Sequence, residues 1–328
     1  MLRKFSILLI IFIAITSIIG CSNSETTNQQ VDERLKIGIM LSDVGLGDQS
    51  FSDAGFEGLE RARDELDISF DYREISESQT YEAGLEELVE QGNEIVIGLG
   101  FAMQEAVDVV AKKYPEQTFL IIDSVSELPN VHSITFKEEE GSFLIGVLAG
   151  LKTQSNVVGF VGGMDVPLIR KFEKGFIEGV KTVNAEATVI SEFAGSFGDD
   201  KLGAEIARNM ITNQADFIYP AAGFTGVGVL QETQKSGVYS FGVDSDQYFL
   251  AERSVVSSML KNIDVAVYNV AKELVENKKL EQKDISLGIK EDGVGLAPIR
   301  VLTLTESEEQ LLNQLSDDIK NGKIKIQP

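Results

Sequence analysis

Residues 35–66, LKIGIMLSDVGLGDQSFSDAGFEGLERARDEL, read as strand, loop and helix in succession. Leu35–Leu41 is a nearly continuous apolar run, as a parallel strand covered on both faces requires. A polar, glycine-rich loop follows. Phe51–Leu66 then places Gly55, Leu59, Ala62 and Leu66 on one face at helical spacing. Ser50 stands where a helix cap belongs, with Asp53 three residues on as a capping-box-like partner.

The same alternation continues along the chain. Further strands are expected at Ile95–Leu99, Phe119–Ile122, Val157–Val161, Phe217–Pro220 and Tyr239–Val243. Helical patterns fall between them at Gly141–Leu151, Lys174–Val180 and Gly203–Ile211. Strands alternating with helices predict α/β architecture with doubly wound parallel sheets. A chain of 328 residues exceeds one ordinary core, so two Rossmann-like lobes around a central cleft are expected. The first lobe is assigned residues 34–140 plus about 245–285, and the second 141–244 plus about 286–328, with the chain recrossing between them. Where strand order reverses, a crevice opens at the carboxyl ends of the strands. Polar residues just after strands should therefore line the cleft.

Cys21 is the only cysteine, which excludes an internal disulfide. It ends the apolar run Phe5–Ile19, which follows Arg3 and Lys4 and is shorter than the ~20 residues a membrane span needs. A positive start and an apolar middle predict a secretory signal over residues 1–20. Ile18-Ile19-Gly20-Cys21 resembles a bacterial lipobox, which implies lipidation of Cys21 and a new N-terminus there. Two or more acyl chains would hold firmly, at ~0.8 kcal/mol per buried CH2. Residues 21–33, polar after the cysteine, read as a flexible stalk. The expected location is the extracytoplasmic face of a cell membrane, with the membrane as partner through the anchor.

Removing residues 1–20 leaves 27 Lys and Arg against 52 Asp and Glu, a formal charge of −25. So acidic a surface repels phosphate backbones, so no nucleic-acid partner is expected. His132 is the only histidine, which excludes a His-based metal cluster. Asp199-Asp200 and Asp244 with Asp246 lack further ligands at a calcium-loop spacing, so no metal is expected. There is no G-x-S-x-G elbow and no P-loop lysine in the glycine-rich stretch 221–228. No catalytic residue or cofactor is assigned, and the chain is expected not to be an enzyme.

The strand ends collect carboxylates, aromatic rings and glycines: Ser42-Asp43, Gly100-Phe101, Asp123, Gly223-Phe224 and Asp244. Here the sequence resembles the basic membrane protein family, purine-nucleoside-binding lipoproteins of ABC importers (PnrA-like). Six blocks carry the likeness in order: GDQSFSDAGFEG (47–58), IIDS (121–124), SFGDDKLG (196–203), AAGFTGVGV (221–229), GVDSDQ (242–247) and SSMLKNID (257–264). The resemblance implies a type I periplasmic-binding-protein architecture and a monomeric receptor that meets permease subunits. It implies Phe51 and Phe197 as rings flanking a base, where stacking adds ~0.5–1.5 kcal/mol per pair beyond burial. Asp123 and Asp244 would accept from ribose hydroxyls, Lys261 would donate to a ribose oxygen, and Gly223 would let the backbone approach. Asp43 and Ser52 lie on the same rim. Many family members carry asparagine where this chain has Ser52, which bears on base preference. The ligand implied is adenosine, guanosine or inosine. A sugar on the same fold, or a sensory lipoprotein acting through protein contacts, are the alternatives.

Overall fold

The computed structural model describes residues 34–327. The signal segment, Cys21 and the stalk lie outside the described residues. The first lobe opens with β1 (Lys36–Met40), α1 (Phe51–Leu66), β2 (Ser69–Arg73), α2 (Tyr81–Glu90), β3 (Ile95–Leu99), α3 (Gln104–Lys113), β4 (Thr118–Ile122) and β5 (Val131–Phe136). The second contains α4 (Glu138–Lys152), β6 (Val157–Gly162), α5 (Pro167–Val183), β7 (Thr188–Phe193), α6 (Asp200–Thr212), β8 (Phe217–Ala221), α7 (Phe224–Ser236), β9 (Tyr239–Asp244) and β10 (Val255–Lys261). Then α8 (Ile263–Asn277) and β11 (Asp284–Leu287) return to the first lobe. β12 (Val294–Leu296) and α9 (Glu306–Lys320) complete the second.

Each lobe is a six-stranded sheet, ordered β11-β5-β4-β3-β1-β2 and β12-β10-β9-β8-β6-β7. All pairings are parallel except that of β12 with β10. Both orders reverse direction, between β1 and β3 in one sheet and between β6 and β8 in the other. Each reversal leaves a crevice at the carboxyl edge, and the two crevices form the cleft. This is the two-lobed type I architecture that the resemblance implied.

Burial explains which strands were legible. Ile37, Ile39, Ile95, Ile97 and Leu99 are fully buried, covered by helices on both faces. The second sheet centres on aromatic residues, with Tyr219 5.8 Å from Phe160 and 5.4 Å from Phe176 between ring centroids. Each such fully buried side chain contributes ~1.5–3 kcal/mol relative to exposure. The edge strands β2 and β7 are only partly covered, so they lack the apolar run that marks an inner strand.

The chain crosses between lobes after Phe136, after Lys261 and between Leu287 and Val294. Residues 245–261 were expected in the first lobe, but β10 pairs with β9 in the second sheet. Its serines hid it. Ser257 and Ser258 are buried because Ser257 donates to the Ala297 carbonyl (2.7 Å) and Ser258 accepts from the Gln247 N–H (3.0 Å). The helix expected at Gly141–Leu151 begins earlier, at Glu138. α4 and α5 pack closely through glycines: a Cβ at Gly146 would meet the Phe176 carbonyl, and one at Gly179 the Phe143 carbonyl.

Candidate ligand-binding site

A cavity of about 250 Å³ lies between the lobes. The first lobe lines it with Asp43 after β1, Phe51 at the start of α1, Phe101 after β3 and Asp123 after β4. The second contributes Gly223 after β8, Asp244 at the end of β9, Lys261 at the end of β10, Phe172 of α5 and Phe197 from the loop before α6. Seven sequence-predicted residues therefore meet at one cavity: Asp43, Phe51, Asp123, Phe197, Gly223, Asp244 and Lys261.

Ser52 does not join them. It is fully buried behind the wall, its hydroxyl 2.6 Å from that of Ser42 and its N–H donating to Asp48 (2.7 Å). The cap expected at Ser50 is also replaced. Asp48 accepts the N–H groups of Ser50 (2.9 Å), Ser52 (2.7 Å) and Asp53 (3.2 Å), so it serves the first turn of α1. Burial pushes the Asp48 carboxyl up to about 6, against these donors. Asp53 accepts instead from Gly47 (2.7 Å) and Gln49 (3.0 Å) in the preceding loop. The Ser50 hydroxyl, freed from capping, donates across the cleft to Asp244 Oδ2 (2.5 Å). The Gln247 amide makes a second interlobe bond, to the Gln49 carbonyl (2.8 Å).

The charged centre is built on Lys261. Its Nζ lies 2.6 Å from Asp123 Oδ2 and 3.1 Å from Glu138 Oε1, with the lysine and aspartate side chains 2% and 3% exposed. It also lies 5.1 Å from the Phe51 ring centroid and 5.8 Å from that of Phe172. Burial alone would lower the lysine's pKa, but Asp123, Glu138 and Asp244 outweigh it and hold the ammonium charged. Burial raises both Asp123 and Asp244, the Lys261 charge opposing it in each. Asp123 Oδ1 is buried without a hydrogen-bond partner. A buried, unpartnered carboxylate oxygen is costly, and a ligand hydroxyl reaching it would relieve that cost.

Local backbone sets these groups in place. Asp123 and Asp244 adopt left-handed conformations, φ 69° and 64°, turning each strand end toward the cleft. Such backbone in a non-glycine residue concentrates where surrounding contacts enforce it. Gly223 has φ 55° and ψ −136°, which suits glycine, and brings α7 to the cavity. Thr225 fixes the loop holding Phe197: its N–H donates to the Phe197 carbonyl (2.9 Å) and its hydroxyl to the Ser196 carbonyl (3.0 Å). The Phe101 and Phe197 rings face each other edge-on across the cleft, 6.4 Å apart.

Sequence reasoning did not select Phe101, Phe172 or Glu138. Phe101 was visible as a strand-end ring. Phe172 sits in an amphipathic helix, where an aromatic looks like core. Glu138 opens α4 with Glu139 and Glu140, a pattern that suits the helix dipole.

A two-lobed α/β fold with an interlobe cavity is an architecture that solute-binding proteins use. Residues 36–328 match the profile of the Bmp family, described as ABC transporter substrate-binding protein PnrA-like, and the chain belongs to that family. A CD4+ T-cell-stimulating antigen of Listeria innocua is 30% identical, over 97% of this chain and 98% of its own. The ABC transporter nucleoside-binding protein BmpA of Lactococcus lactis is 29% identical over 99% and 98%. Among solved structures, an ABC transporter solute-binding protein from Aeropyrum pernix superposes with a TM-score of 0.81 at 27% identity, covering 89% of this chain and 92% of its own. The chain is thus an ABC transporter solute-binding protein. Among the described residues no helix is long and apolar enough to cross a membrane.

Proposed function

We propose that this chain is a lipid-anchored receptor that captures a purine nucleoside outside the membrane and delivers it to the permease subunits of an importer. The observation that carries the reading is the pairing of two ring walls, Phe51 and Phe197, with a carboxylate–lysine centre in one cavity. A nucleoside has the matching halves: a flat base for the rings and a ribose with adjacent hydroxyls. In this reading Asp123 Oδ1 and Asp244 accept from the ribose hydroxyls and Lys261 donates to a ribose oxygen. Charge-assisted bonds of this kind are the stronger class. Asp43 and Gly223 complete the wall beside the base and sugar. Ser52, behind the wall, makes no direct contact. The cavity of about 250 Å³ suits a small solute.

Ligand favours closure to the extent that it binds the closed lobes better than the open ones. The bonds from Ser50 to Asp244 and from Gln247 to Gln49 would form in that step. Cys21 would keep a monomeric receptor near its transporter at raised effective concentration. A thermal-shift panel of nucleosides, free bases, nucleotides and sugars against the purified chain tests the ligand class. A nucleoside at 100 times its Kd should add ~2.7 kcal/mol of stability. No shift with any purine nucleoside would refute the reading.

A further inference from the structure

Glu138 does not itself line the cavity, yet it is fully buried and carries a carboxylate. Two lysines converge on it: Lys261 Nζ at 3.1 Å from Oε1 and Lys171 Nζ at 3.3 Å from Oε2. Its neighbours Glu139 and Glu140 make neither contact. Glu140 turns instead to the Ile289 N–H (2.8 Å). A helix start needs negative charge near its end, but it does not need that charge sealed between two ammonium groups.

Its place in the topology is informative. Glu138 begins α4, directly after the first crossing between lobes, and Lys261 ends β10, directly before the second. Their contact joins the two crossing segments, where hinge motion moves atoms least. Asp123 stands on the far lobe, at the end of β4. Its contact with Lys261 therefore spans the cleft. Among the described residues the Lys261 ammonium donates a hydrogen bond to Asp123 and stands 3.1 Å from Glu138 Oε1 as an ion pair. A lysine has three N–H donors, so it keeps donor capacity for a ligand in the cavity it lines.

We infer that Glu138 is the positioning residue of the site: a hinge-side counterion that holds the Lys261 ammonium at the cavity wall while the lobes are apart, so that Asp123 and ligand meet a donor already in place. The inference rests on the nucleoside reading. Charge at Glu138 then matters to the sugar half of the ligand and not to the base half, because Lys261 serves only the former.

The test compares Glu138→Gln with wild type in the purified full-length chain, titrating a purine nucleoside and its free base in parallel. Glu138→Gln should weaken the nucleoside at least tenfold and leave the base within about twofold. Glu138→Asp keeps the charge on a shorter stem and should lower the nucleoside-to-base ratio less. It also preserves the test where the glutamine variant does not fold. A purely structural role would lower both affinities together, or move only the melting temperature; either result overturns the inference. An unchanged ratio in both variants overturns it as well. If wild type itself binds no nucleoside, the nucleoside reading falls and takes this inference with it.

Discussion

Replacing Lys261 by methionine removes one charge from the middle of the site and keeps most of the side-chain length. Three carboxylates then remain around the gap. Glu138 retains Lys171 at 3.3 Å, but Asp123 and Asp244 lose the cation that opposes their burial. Removing one partner of a buried pair costs about 3–5 kcal/mol, since the stranded charge is the expensive part. At ~2–4 °C per kcal/mol for a large domain, the ligand-free melting temperature should fall by roughly 10 °C. The loss should depend on pH with a definite sign. Burial holds the folded-state pKa of Asp123 and Asp244 above that of an unfolded aspartate, ~3.9. Removing the Lys261 charge, which opposes that rise, lifts both carboxyls further. The folded variant therefore binds protons at higher pH than folded wild type does, and falling pH stabilises the variant more than wild type. The gap between wild type and Lys261→Met should be widest near pH 7.5 and narrower near pH 5, measured by calorimetry without ligand. Adding Asp123→Asn to the variant should restore part of the loss, because both members of the pair are then neutral. A drop below about 3 °C, or an equal drop at both pH values, would refute the account of Lys261 as the counterion of this centre.

Phe197→Ala should weaken nucleoside binding by about tenfold or more, since stacking contributes ~0.5–1.5 kcal/mol beyond burial, and leave the melting temperature nearly unchanged because the ring is only half-buried. Titration calorimetry checks this, and wild-type affinity would remove Phe197 from the site. Gly179→Ala should destabilise by about 1–3 kcal/mol or more in urea unfolding, because its Cβ would meet the Phe143 carbonyl and force α4 and α5 apart. A neutral effect would show that this helix pair tolerates wider spacing. Cys21→Ser should release the protein from membranes with ligand affinity unchanged, read by cell fractionation and titration. Retention at the membrane would argue for an uncleaved anchor.

The inner strands could be read directly because both their faces are covered. Ile95–Leu99 is one apolar word with no other use. β2 and β7 could not, because an edge strand needs no second buried face. β10 was obscured by Ser257 and Ser258, whose hydroxyls are satisfied only by residues distant in sequence, Ala297 and Gln247. That misreading also displaced the lobe boundary. At the site, strand-end position marked Asp123 and Asp244, and family likeness singled out Phe197 and Lys261. Ser52 shows the limit of rim position as a guide. It follows Phe51 on the helix, and the turn of that helix carries it behind the wall to Ser42. Glu138 carries no local mark of its role, because what defines it is Lys261, more than a hundred residues away in the chain.

In the proposed function, the two lobes enclose a purine nucleoside through rings at one end and the Lys261 centre at the other. Calorimetric titration of the purified protein with a purine nucleoside, its free base and ribose tests it most directly. The account predicts one saturable site for the nucleoside, bound more tightly than either half alone. Equal affinity for nucleoside and base, or no binding of any nucleoside, would contradict it.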